Sequence, residues 1–293
     1  MTDFNFTLSD RIQKIQQIND KYNLLDNAYL SFSGGRDSTV LHYLLDIALP
    51  GNKIPRVFIN TGIEYKKIVE FVKGMAKTDD RFVIVAPSRN IKETLEEFGY
   101  PFKSKEHSQR LKEWQNGCRG DYLKRYINGE KFISCPKKLK YQFEPDFNMK
   151  ISDLCCNKMK KDPASKWSKE NKRSVCITGM RAEEGGNRRT LNCIVTTKND
   201  SLKKFHPLTV VNEEWMDEFI KANNVKLCDL YYEPFNFQRT GCVGCPFNKK
   251  LQESLDILKV LVPDEYKRAN IIWKPVYDEY IRIGFRLKNI EKL

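Results

Sequence analysis

The stretch Ala28-Tyr-Leu-Ser-Phe-Ser-Gly-Gly-Arg-Asp-Ser-Thr-Val-Leu41 passes from an apolar run to a two-glycine turn and then to a helix opened by Asp37 and Ser38. Few folds accept that order. The run reads as a buried strand, the glycines as a turn that a Cβ would crowd, and the helix starts at the strand's carboxyl end. Gly34 and Gly35 let backbone N–H groups converge. The first turn of the helix presents unbonded amides and the positive end of its dipole, and Ser33, Ser38 and Thr39 add hydroxyls. These residues build an anion site suited to phosphate, at the strand end where ligands bind in open α/β sheets. It is neither Gly-x-x-x-x-Gly-Lys-Ser/Thr nor Gly-x-Gly-x-x-Gly. Asp37 either caps the helix or holds a cation.

The remainder of the first third alternates in the same way. Strands are expected at 28–32, 56–60 and 82–86, and helices at 37–47, 64–77 and 91–98, after a periodic helix over 8–23. This is the signature of βαβ units, and the expected fold class is α/β, a doubly wound, mostly parallel, Rossmann-like sheet. From 100 to 150 the pattern breaks around Pro101, Pro136 and Pro145 into a basic insertion. Strands resume at 174–178 and 191–195, and helices follow at 213–222, 249–261 and 264–283, the last bent at Pro275. The expected division is a nucleotide-binding α/β domain over 1–210 and a helical C-terminal region over 211–293.

The chain opens with Asp3 and Asp10 and has neither a basic n-region nor an apolar h-region, and no run of about 18 apolar residues occurs. A cytoplasmic protein without membrane attachment is expected. Reduced thiols follow from that compartment, so close-set members of the nine cysteines point to metal or catalysis. The net charge of +13 is local: residues 103–140 hold 11 basic and 4 acidic groups, and residues 158–173 hold 7 and 2. Trp114, Tyr122, Tyr126, Phe132 and Trp167 are interleaved with these cations, a combination suited to phosphate backbones and stacked bases. The plainer reading, solvated basic helices, stays open.

The motif Ser33-Gly34-Gly35-Arg36-Asp37-Ser38 resembles the PP-loop of enzymes that cleave ATP between its α and β phosphates. The resemblance implies an adenine nucleotide alpha-hydrolase-like fold, with ATP and Mg²⁺, or an adenylyl sulfonucleotide, on that loop. Asn60-Thr61-Gly62-Ile-Glu64 looks like the Thr-Gly-x-x-x-Pro-Glu-Thr region of the phosphoadenosine phosphosulfate (PAPS) reductase family without its proline; it places Thr61 and Gly62 beside the adenosine. Gly179-Met-Arg181-Ala-Glu183-Glu184-Gly-Gly-Asn-Arg188-Arg189 resembles the family's anion-contacting segment, with Gly185 in place of a serine. Arginine forks grip phosphate or sulfate at two points, so Arg181 and one of Arg188 or Arg189 are candidates. His206-Pro-Leu extends the resemblance to about residue 250. His206 and His42 read as structural residues.

Cys155-Cys156 and the distant Cys242-Val-Gly-Cys245 resemble the cluster motif of adenylylsulfate reductases, which implies a [4Fe-4S] cluster on these four thiolates. Structural zinc is the rival on the same residues. Neighbouring cysteines in one element point apart, so both can bind one centre only where the element is distorted. Cys176 and Cys193 read as small core residues, Cys228 has no evident partner, and Cys118 and Cys135 lie in the basic insertion. The reductases carry a nucleophilic cysteine near their C-terminus, whereas no cysteine follows Cys245 here. The leading expectation is therefore an ATP pyrophosphatase that adenylates an acceptor for sulfur transfer, on DNA or tRNA, with Ser33, Asp37 and Arg181 as catalytic residues. A sulfur donor such as a cysteine desulfurase is the expected partner, and a homo-oligomer is left open. A sulfonucleotide reductase and a nucleotide-binding component of a larger assembly are the alternatives.

Overall fold

The computed structural model describes residues 3–129, 134–185 and 188–288; Phe132 and the last five residues lie outside them. The chain divides into two compact units. The first comprises Met1–Asn60, Glu64–Ala86 and Pro163–Thr240, the second Thr61–Ile63, Pro87–Asp162 and Gly241–Leu293.

The first unit runs α1 (Asp3–Tyr22), α2 (Leu24–Asn27), β1 (Ala28–Ser31), α3 (Arg36–Ala48), β2 (Arg56–Ile59), α4 (Lys66–Thr78) and β3 (Phe82–Val85). The chain then passes to the second unit for α5 (Ile91–Phe98), α6 (Lys105–Gln115) and α7 (Asp121–Asn128). It returns with α8 (Asp162–Glu170), β4 (Val175–Ile177), β5 (Ile194–Thr196), β6 (Leu202–Phe205) and α9 (Glu213–Ala222). The six strands form one sheet in the order β3-β2-β1-β4-β6-β5. All neighbours are parallel except β5 and β6. Successive strands first step outward from β1 to β3, and β4 then pairs on the other side of β1. The direction of winding thus reverses beside the strand that carries the glycine turn, which is where a crevice opens in a doubly wound sheet.

Burial explains the strand choice. Leu30, Val57, Phe58, Val175 and Ile177 are at most 2% exposed, as expected of parallel strands covered on both faces. α3 contributes Val40, Leu41, Leu44 and Leu45, all fully buried. α9 packs on α3 through buried Trp215, Met216 and Phe219, so this helix belongs with the sheet although the sequence groups it with the later helices. Gly34 has φ +71°, and a Cβ there would sit 2.9 Å from Ile68 and 3.0 Å from Val72 of α4. The first glycine of the turn is thus required both by its backbone conformation and by contact with the neighbouring helix.

The second unit is helical. The stretch read as a basic insertion folds into α6, α7 and a 3₁₀ turn over Lys137–Phe143. Ser104 caps α6 by accepting from His107 N–H, and Gly129 closes α7 with φ +83°. His107 sits at the centre, its Nδ1 2.8 Å from the Tyr126 hydroxyl and its Nε2 2.7 Å from Gln142 Oε1. Phe102, Leu111, Leu139 and Phe143 surround that group in the core. Tyr126 is 2% exposed, so it is a core residue and does not offer a stacking face. α10 (Leu251–Leu261) and α11 (Pro263–Arg282), which contains Pro275, complete the unit. No helix among the described residues is long and apolar enough to cross a membrane.

Candidate functional site

In the first unit the turn after β1 opens a cleft of about 890 Å³. Ser33 Oγ and Ser38 Oγ lie 3.0 Å apart, and Gly35 N–H donates to Ser33 Oγ at 3.2 Å. The N-cap of α3 is Gly35, which offers no side-chain cap, so Asp37 is not the cap. Arg36 N–H donates to the Tyr231 hydroxyl at 3.1 Å, which is 2.7 Å from Thr240 Oγ1. Opposite, β4 ends at Thr178-Gly179. A Cβ on Gly179 would lie 2.8 Å from the Asp37 carbonyl oxygen, so the absence of a side chain at this position is what lets the two strand ends approach.

The cations of this cleft are tied to carboxylates. Arg181, buried, reaches Glu183 Oε2 at 2.8 Å, pairs with Glu213, and holds its Nε 3.4 Å from Asp37 without hydrogen-bond alignment. Arg36 shares Glu213 and reaches Asp217 at 2.7 Å. Arg188 and Arg239 converge on Glu184. Burial raises the Asp37 carboxyl above its ordinary value, against the pull of Arg181, Arg36 and Arg239. Burial also pushes Glu213 upward, but its hydrogen bond and charge contacts with Arg181 and Arg36 win, leaving it below the usual range. His206 accompanies the site from beneath: Nδ1 is 2.6 Å from Thr178 Oγ1, and burial lowers it to about 4, so it is neutral at physiological pH.

Of the residues expected from sequence, Ser33, Gly35, Arg36, Asp37, Ser38, Arg181 and Arg188 line this one cleft. Gly34 lies behind it against α4. Arg189 is exposed and does not line it. Thr61 and Gly62 belong to the second unit, where Arg268 Nη1 donates to the Gly62 carbonyl at 3.5 Å. Sequence reasoning missed Glu184, Glu213, Asp217, Tyr231, Arg239 and Thr240. Glu213 was visible only as an acidic residue in the first turn of a helix, a signal shared by many surface helices.

In the second unit Cys155 and Cys156 begin a helical turn that passes at once into a π-helical turn, Asn157–Lys161. The distortion lies just after the two cysteines, and Cys156 itself has right-handed helical dihedrals, φ −66° and ψ −32°. Their sulfurs are 4.0 Å apart. Cys242 and Cys245 lie close enough to act electrostatically on Cys155. The Cys242–Cys245 turn hangs from α11: Trp273 Nε1 donates to Val243 O at 2.8 Å, Tyr277 to Gly244 O, and Tyr280 to Pro246 O at 3.0 Å. Gly244 has φ +59°, and a Cβ there would clash with Tyr277 and Ala269. Burial pushes the Cys245 thiol up to about 12, whereas a hydrogen bond from Cys155, with Lys105, Lys160 and Lys161 nearby, lowers Cys156. Among the described residues no group of three or more such side chains is closed around one metal point. The donor set nevertheless fits a thiolate-held centre: four sulfurs in one neighbourhood, on a distorted helix and a braced turn. Cys118 is exposed; Cys135 and Cys228 are buried; Cys176 and Cys193 are half-buried.

A family model, the phosphoadenosine phosphosulfate reductase domain, matches residues 27–135 and 130–248. The chain belongs to that family. The match covers β1 through the Cys242–Cys245 turn and so spans both sites. An uncharacterized protein of Methanocaldococcus jannaschii is 33% identical over 134 residues, 42% of this chain and 30% of that protein; the chain spans less than a third of that relative's length. Similar solved structures include a phosphate complex of the PAPS reductase from Candida auris, 16% identical over 74% of this chain and 81% of that one, TM-score 0.43. Another is the U34-tRNA thiolase NcsA from Methanococcus maripaludis with its [4Fe-4S] cluster, 14% identical over 99% of this chain and 83% of that one, TM-score 0.41.

Proposed function

We propose that this PAPS reductase family member is a PP-loop ATP pyrophosphatase that adenylates an acceptor oxygen on nucleic acid, so that sulfur replaces it. The observation that carries the reading is the glycine turn that opens α3, with hydroxyls and arginines gathered on one cleft. An acceptor oxygen attacks the α-phosphorus, the bond to the β-phosphate oxygen breaks, and pyrophosphate leaves with the electron pair. Gly35 N–H, Ser33 and Ser38 stabilise the charge growing on that leaving group. Arg181 neutralises the α-phosphate, and Asp37 is placed to hold Mg²⁺. A sulfur nucleophile then attacks the atom bearing the adenylated oxygen, and AMP leaves with that oxygen. With free sulfide the exchange is redox-neutral; with the persulfide of a cysteine desulfurase the outer sulfur attacks, and a thiol reductant supplies the two electrons that cleave the resulting disulfide. A [4Fe-4S] cluster on Cys155, Cys156, Cys242 and Cys245 would supply a centre for delivering that sulfur.

Two second readings rest on specific observations. The family match favours a sulfonucleotide reductase in which the same arginines hold the sulfonucleotide. The 4.0 Å between Cys155 and Cys156 sulfurs is near the edge, about 3.8 Å, of a thiolate tetrahedron with ~2.3 Å zinc bonds. Product analysis separates the reactions. Anaerobic protein given ATP, sulfide and bulk tRNA or DNA is expected to yield thiolated nucleosides or phosphorothioate by mass spectrometry. Sulfite from a sulfonucleotide and a thiol reductant, with no thiolated nucleic acid, replaces the proposal by the reductase.

A further inference from the structure

A second cavity, of about 490 Å³ and confined to the second unit, is not used by any step above. It lies within the size range of ligand pockets. Its lining combines the rings of Phe98 and Phe147, the side chains of Asn116 and Asn148, and the cations Lys112 and Lys150 beside Glu97. Lys112 is paired with Asp153 at 2.7 Å and Lys150 donates to the Glu97 carbonyl at 2.5 Å, so a phosphate would have to draw these groups from those partners. Neither asparagine amide makes a hydrogen bond among the described residues, so each presents a donor and an acceptor to a ligand. Lys158 and Arg89 stand 5.2 and 5.9 Å from the Phe98 ring centre, and they are paired with Asp162 and Glu97.

The wall is built in advance. Gln115 bridges its two sides, donating to Met149 O at 2.7 Å and accepting from Ile151 N at 3.1 Å. Tyr100 N–H donates to Lys150 O at 2.8 Å, and Ser152 N–H to Tyr100 O at 2.9 Å. Gly99 cannot carry a Cβ, which would fall 2.8 Å from Lys150 O. Phe147 is steadied by Tyr141, ring centres 5.7 Å apart.

Aromatic face, paired amides and cation are the complement of a base with its phosphate. We infer that this cavity takes one unstacked nucleobase, with its phosphate, of a single-stranded nucleic acid. The inference rests on the nucleic-acid reading above and deepens it. A paired base is shielded, so a duplex must first unstack and unpair one before it can enter. Leu154 lines the cavity, and Cys155 follows it in the chain, so a base held here is brought to the element that carries two of the thiols.

The test is fluorescence anisotropy of the full chain with a labelled 12-mer as single-stranded RNA, as single-stranded DNA and as duplex, with AMP as competitor. Single strands are expected to bind more tightly than the duplex, and the RNA and DNA arms identify the source of the base. Phe147→Ala removes a stacking face and is expected to weaken single-strand binding about 5- to 150-fold. Asn148→Asp, at an exposed position that does not threaten folding, is expected to weaken it also, and Lys150→Gln to reduce the salt slope by about 0.7. A 2-aminopurine placed in the strand should be quenched on binding to wild type and not to Phe147→Ala. ATP binding belongs to the first unit's cleft and should be unchanged in these variants by isothermal titration calorimetry. Wild-type affinity in both Phe147→Ala and Asn148→Asp overturns the pocket while leaving nucleic-acid thiolation standing, and AMP is expected to compete less well with the strand in Phe147→Ala than in wild type. A wild type that cleaves ATP yet binds neither strand overturns both.

Discussion

Replacing Glu213 by glutamine isolates the electrostatics of the cleft. Its carboxylate is shared by Arg36 and Arg181, whose side chains are only 15% and 7% exposed. In the ligand-free protein Glu213 therefore occupies the two-point grip that a phosphate needs. A phosphate oxygen engaging both arginines would lie within about 6 Å of that charge, and 332/(εr) with ε of 20–80 gives ~0.7–2.8 kcal/mol of repulsion. Glu213→Gln is thus expected to tighten pyrophosphate and ATP binding about 3- to 100-fold by isothermal titration calorimetry. The gain should shrink as salt rises. Folding stability should change by no more than about 1 kcal/mol, because the Glu213 side chain is itself 51% exposed and half-solvated ion pairs contribute little. In wild type the same release occurs only in acid, as pH falls through the depressed value of this carboxyl. Unchanged or weaker anion binding in Glu213→Gln would refute the competition and assign Glu213 to holding a cation or the fold.

Three further outcomes follow from the same coordinates. Gly179→Ala drives a Cβ against the Asp37 backbone at 2.8 Å; chemical denaturation should show a loss of about 1–3 kcal/mol, with weaker nucleotide binding. Burial lowers His107 to about 4, so the folded state binds fewer protons than the unfolded one between that value and about 6.5. Stability should decrease as pH falls through this window, by at most about 3 kcal/mol for this group, and His107→Gln should make the decrease shallower without abolishing it, because burial lowers His42 and His206 in the same way. Cys242→Ser should abolish iron and sulfide, or zinc, found by elemental analysis of anaerobically purified wild type; metal retained in full would remove Cys242 from the ligand set.

The nucleotide turn was legible because its chemistry is local: strand, glycines and hydroxyls lie within one short run, and β1 and most of β2 are buried apolar stretches, whereas β3 at the sheet edge alternates and leaves Ile84 exposed. β6 escaped notice because Leu202-Lys-Lys-Phe205 buries only its two ends. The helices α6 and α7 were hidden by prolines and lysines, although the Ser104 cap and Gly129 mark them in hindsight. Arg181, Arg188 and Arg189 are equivalent as residue types, and only the fold turns the first two into the cleft. Glu213 and Tyr231 stand 177 and 195 positions from Arg36, so no spacing rule could join them. The cysteine pairs were legible as ligands, but their support by Trp273, Tyr277 and Tyr280 depends on how α11 packs.

The central claim is that this cleft breaks the bond between the α and β phosphates of ATP when an acceptor oxygen is present. Phosphorus NMR of ATP incubated anaerobically with the protein, Mg²⁺, sulfide and tRNA or DNA reads that bond directly. The account predicts AMP and pyrophosphate in equal amounts, dependent on nucleic acid and lost in Arg181→Ala. ADP with inorganic phosphate, or AMP formation indifferent to both nucleic acid and Arg181, would contradict it.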